Sequence, residues 1–183
     1  MSDRNNGNTA PSRGALRLNN RLRKLWSQHV YRTRFFIIST ASELADLPYV
    51  TKWLLRNPGD FAAALEPFYG KARELLTDHL MIAGELVNAA KNHETAKVEL
   101  ARKRWYGNAD EIAEFLAKIN PYWSREKWTK LLYNHLRMTE REAVLRLSGK
   151  YPEDIAEFGS IENEALEMAD YMLEGMIRQF RLS

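Results

Sequence analysis

Apolar residues in this chain return every three or four positions through five long segments, and no run alternates in the two-residue period of a half-buried strand. The first segment covers about 16–44, with Leu18, Leu22, Leu25, His29, Thr33, Phe36 and Thr40 along one face. Others follow at about 71–91, 94–119, 125–148 and 152–181, the last with a break expected at Gly159. Between the first and second, residues 45–70 read as one or two short helices, interrupted by Pro48 and restarted by Asn57 as cap, Pro58 at the first turn and Asp60 at the positive dipole end. A stripe of this period has to be buried against another helix. The pattern therefore predicts an all-α fold: an up-and-down bundle of five main helices with a short-helix crossover at about 45–70.

Three of the segments share a local signature. "LWSQHV", "LLTDHL" and "LLYNHL" each set a histidine (His29, His79, His135) behind an amide or acid (Gln28, Asp78, Asn134) and before a branched apolar residue. All three histidines fall on the apolar stripes. Short turns make the 71–91 and 125–148 helices parallel, so a rise of about 1.5 Å per residue places His79 and His135 roughly 12–15 Å from the same end. Asn108, on the antiparallel helix between them, reaches a similar height, and His29 lies midway along the first helix. Glu142 follows His135 by two turns on the same face, and Glu164 of the last helix comes near the same level. The preceding Gln28, Asp78 and Asn134 lie about 100° around their helices, placed to touch neighbouring helices.

Two readings of this His/Asn layer stand beside each other. In one, each imidazole is satisfied by a polar neighbour and the layer sets helix register or holds a small ligand. In the other, His29, His79 and His135, with Glu142 or Glu164, hold a divalent metal (Fe, Zn or Mn) for redox or hydrolytic chemistry. The Glu-x-x-His pairs of di-iron bundles are missing, since Trp26, Leu76 and Leu132 stand three residues before the histidines. No H-x-x-x-H or H-E-x-x-H occurs either.

Composition narrows the classes further. With 45% hydrophobic and 28% charged residues the chain is an ordinary globular one, and its 183 residues suit a single domain over 15–183 behind a flexible tail at 1–14. Cysteine is absent, which removes disulfides, thiolate zinc sites and a cysteine nucleophile. No apolar run approaches a membrane span, and the first 24 residues lack the apolar core of a secretion signal, so the expected location is the cytoplasm. Nine glycines include no GxGxxG or GxxxxGK[ST] pattern, so nucleotide binding has no support. No nucleophile is paired with a base in a local motif, and the reading leans away from an enzyme.

The positive charge is concentrated at the N-terminus, where Arg4, Arg13, Arg17, Arg21, Arg23 and Lys24 stand against Asp3. Arg17, Arg21, Arg23 and Lys24 could meet an anionic surface or a partner, although no helix-turn-helix or zinc-finger spacing points to specific nucleic-acid reading. Aromatic residues gather near helix ends (Trp105, Tyr106, Tyr122, Trp123, Trp128), as anchors or as a pocket mouth. Gly107, inside a helix, would permit close packing or make room for a ligand beside Asn108. Met168, Met172 and Met176 read as core filler. Partners and dimerisation stay open.

Taken in order, "LWSQHVYRTRFFIISTA", "LLRNPGDFAAALEPFYG", "LLTDHLMIAGELVNAAK", "RWYGNADEIAEFLAKINPYW" and "IENEALEMADYM" resemble a family of small helical proteins of spore-forming Gram-positive bacteria. The resemblance covers residues 16–181 and implies no activity, because that family is uncharacterised. Its members often carry the label acetylglutamate kinase. That kinase is a larger α/β enzyme with glycine-rich phosphate loops, and this chain has neither the strands nor the loops for it.

Overall fold

A computed structural model describes residues 12–69 and 74–182, and among these the secondary structure is entirely helical. Seven α-helices follow in order: α1 (Arg13–Ala41), α2 (Leu47–Leu54), α3 (Asn57–Tyr69), α4 (Glu74–Lys91), α5 (Thr95–Ile119), α6 (Arg125–Leu147) and α7 (Tyr151–Phe180). The expected tail at 1–14 falls mostly outside the described residues. Its end does not: α1 begins at Arg13, because the Ser12 hydroxyl accepts the Ala15 N–H at 3.1 Å and caps the first turn.

Helix ends follow local chemistry. Lys150 N–H returns to the Leu145 carbonyl at 2.9 Å, a closure that needs a left-handed residue, and Gly149 supplies it at φ 70°. His93, the fourth histidine, turns the α4–α5 corner at φ 59° and is exposed. Ser124 caps α6 through Lys127 N–H at 3.2 Å, as its sequence position predicts. The break expected at Gly159 does not occur: α7 runs unbroken through it, since one glycine costs only about 1 kcal/mol and the stripe on either side stays buried.

α4 packs on α5, α5 on α6, α6 on α7 and α7 on α1. α2 lies against α1, while α3 touches both α1 and α4. α1, α4 and α6 also meet one another, so these three form the interior and α3, α5 and α7 cover the grooves between them. The main core runs through Leu22, Leu136, Ile161, Met168 and Met176, with a smaller cluster of Phe36, Ile37, Leu54 and Leu80 near α2. At one end Trp123 packs on Trp128 and Tyr69, and Tyr69 packs on Phe180. Trp105, on the inward face expected of the 94–119 helix, lies in the core well inside that helix rather than at its end, with its ring 5.4 Å from that of His79. A Cβ added at Gly107 would meet nothing within 4 Å, so that glycine is not required for close packing.

Candidate metal centre

His29 on α1, His79 on α4 and His135 on α6 project from the three inner helices and are all buried. Their rings stand 5.4 to 6.5 Å apart by centroid. One ring nitrogen from each lies within 4.8 Å of those of the other two. The side chains therefore converge on a single point.

Two of the imidazoles are oriented from outside by a helix that covers a groove. His29 Nδ1 lies 3.1 Å from Asn57 Oδ1 on α3, and His79 Nδ1 lies 3.0 Å from Asn108 Oδ1 on α5. The amides cannot be reversed without loss. Asn57 Nδ2 donates to the Leu25 carbonyl at 3.3 Å and Asn108 Nδ2 to the Leu75 carbonyl at 3.1 Å, and a carbonyl only accepts. Both Oδ1 atoms are therefore acceptors, so both Nδ1 atoms carry the proton. In a neutral ring that leaves Nε2 with its lone pair.

His135 follows the same plan less completely. Its Nδ1 is 3.5 Å from Glu164 Oε2 on α7, and both side chains are at least 95% buried. That separation is within ion-pair reach, but it is not a hydrogen bond: Nδ1 and both carboxylate oxygens have no hydrogen-bond partner among the described residues.

Electrostatics keep two of the rings neutral. Burial lowers His29 well below the ordinary imidazole value, and repulsion from His135 and His79 adds to it. Burial, followed by His135, takes His79 to about 3. At neutral pH both rings then offer lone pairs, which is the state a metal requires.

The triad opens on a cavity of about 520 Å³. Its walls are largely apolar and aromatic, with Phe61, Leu65, Phe115 and Met172 among them, and its polar groups are the three imidazoles, Asn57 and the unpartnered indole N–H groups of Trp26 and Trp128.

No known family, curated protein or solved structure matches this chain. The chemistry of the site has to be read from its own atoms.

The sequence-predicted candidates separate into two groups. His29, His79, Asn108, His135 and Glu164 are brought together. Glu142 is held elsewhere: Arg34 binds it at 2.6 Å and binds Asp154 at 2.8 Å, and Arg146 approaches Asp154 at 3.5 Å. Burial raises Glu142 to about 7 despite the opposing pull of Arg34. Two turns along α6 carried Glu142 into the buried charge cluster between α1, α6 and α7. The side-chain hydrogen bonds of the residues preceding the histidines stay within their own helices. Gln28 and Asn134 bond Arg32 and Arg137 of their own helices, and Asp78 is exposed. In the basic segment, Arg17, Arg21 and Lys24 are exposed and Arg23 pairs with Asp170 at 2.5 Å.

Asn57 is the functional neighbour that sequence reasoning missed. It reads as a capping residue, yet it is the first residue of α3, 2% exposed, with its side chain spent on α1. The one available signal was the His79–Asn108 pairing, which suggests an asparagine for each buried histidine.

Proposed function

We propose that this protein binds a divalent transition-metal ion through His29, His79 and His135, at the centre of an up-and-down bundle of its five long helices. The observation that carries the reading is the convergence of three ring nitrogens within 4.8 Å, with Nδ1 of His29 and of His79 held by an asparagine oxygen and Glu164 3.5 Å from Nδ1 of His135. Such outer partners fix the tautomer and raise the basicity of metal-ligating histidines. A tetrahedral ion with bonds of about 2.0–2.1 Å holds its nitrogens about 3.3 Å apart, so side-chain rotation closes the remaining gap. Three imidazoles with no carboxylate in direct contact favour zinc or iron(II) over the harder magnesium or manganese. The fourth position faces the cavity and suits water or a ligand.

A purely structural layer fits less well. It gives no role to the lone pairs that the Nδ1–H tautomers leave on Nε2 of His29 and His79. The acetylglutamate kinase label has no support here, because the described residues contain no strand leading into a phosphate-binding loop. The test is elemental analysis and calorimetric titration of purified protein with Zn²⁺ and Fe²⁺. One ion per chain is expected, lost in the His79→Ala/His135→Ala variant; no stoichiometric ion and an unchanged Tm on adding metal would overturn the reading.

A further inference from the structure

We propose that the cavity below the triad binds small apolar monoanions, held to the metal by a carboxylate head with the apolar body in the cavity. The inference rests on the metal reading above and adds a ligand class to it. Three observations carry it.

The first is how the cavity distributes polarity. Its polar wall groups are His29, His79, His135, Asn57 and the indole N–H groups of Trp26 and Trp128, and the Asn57 amide is already committed to His29 and the Leu25 carbonyl. No Lys, Arg, Asp or Glu lines it. A second charged group on the ligand would find no counter-charge there, whereas a single anionic head meets the metal.

The second is charge. A divalent ion at three imidazoles brings positive charge into a buried site whose cavity walls carry no charged side chain. Buried Arg32, close to His29 along α1, is matched by Asp60 at 3.1 Å. In such a low-dielectric site an anionic head on the metal is favoured over a neutral one. Phosphates carry more charge and would need arginine or lysine donors that the walls lack.

The third is size. An engineered apolar cavity of about 150 Å³ takes a benzene ring. The 520 Å³ here is about three and a half times larger, enough for a medium-length alkyl or aryl body.

The experiment uses the full chain loaded with Co²⁺, whose visible spectrum reports its ligands, titrated with acetate, butanoate, hexanoate and octanoate, and with 1-octanol as the uncharged control. Each acid is expected to change the cobalt spectrum, with Kd falling about tenfold for every two methylenes added. 1-Octanol should leave the spectrum unchanged. Leu116→Trp, which narrows the cavity, should keep Co²⁺ and weaken octanoate at least tenfold; the chain-length series on the unaltered protein decides the matter even if that variant fails to fold. Affinity independent of chain length, a spectral response to 1-octanol, or octanoate binding that leaves the spectrum unmoved would overturn the ligand class while leaving the metal reading intact. Absence of any protein-bound cobalt spectrum would overturn both.

Discussion

Asn108 accepts from His79 Nδ1 at 3.0 Å while its own amide nitrogen is held by the Leu75 carbonyl at 3.1 Å. One side chain on α5 thus fixes both the tautomer and the tilt of a ring on α4. Asn108→Leu keeps the volume and removes the acceptor. Metal affinity should fall about 10- to 100-fold, the usual range for an outer-shell partner, with helical circular dichroism unchanged. Zinc titration calorimetry on the two proteins measures it.

The metal-free protein should be acid-sensitive in a defined direction. In the unfolded chain His29 and His79 take up protons below about 6.5, while the folded state leaves both neutral, His79 down to about 3. The unfolded state then binds more protons, so stability falls with pH by about 1.4 kcal/mol per unit for each histidine. Glu142 acts oppositely between 4.5 and about 7, where the folded state keeps a proton that the unfolded carboxylate has lost. The net slope should correspond to about one proton from pH 6.5 to 4.5 and steepen below that. Urea unfolding across this range reads it, and His79→Phe should flatten it.

Two glycines should respond with opposite signs. A Cβ on Gly175 would overlap Nε1 of the buried Trp123 ring, so Gly175→Ala must displace the indole. Overpacking of this kind costs about 1–3 kcal/mol. Gly107 is exposed and has open space around it, so Gly107→Ala should stabilise by about 0.5–1 kcal/mol through helix propensity. Thermal denaturation of both variants checks the pair.

Arg34 bridges Glu142 and the fully buried Asp154. Arg34→Met strands Glu142 in the interior and leaves Asp154 with Arg146 alone at 3.5 Å, and should cost about 3–5 kcal/mol. Adding Glu142→Leu should recover part of that loss by removing one unpaired group. Guanidinium unfolding of the single and double variants supplies the comparison.

Much of the helical content was legible in periodicity alone. The α6 segment expected at 125–148 runs Arg125–Leu147, and its cap and terminal glycine are where Ser124 and Gly149 predict. The shared height of His79, Asn108 and His135 also followed from helix rise and short turns. Asn57 and Glu142 were misplaced for one physical reason. A sequence position gives height along a helix, but whether a side chain meets a ring on a neighbour depends on how each helix is rotated and how far apart the axes lie. An asparagine at a helix start looks the same whether it caps its own backbone or reaches across.

The sequence by itself determined that the chain is helical, which faces are apolar, and that three histidines lie on those faces, because side-chain period and turn chemistry are local properties. Tertiary structure decided that one nitrogen from each of the three rings comes within 4.8 Å of the others, that α3 and α5 supply the oxygens that orient His29 and His79, and that Glu164 rather than Glu142 stands beside His135. Those outcomes depend on helix rotation and spacing, which are settled by packing the whole core at once.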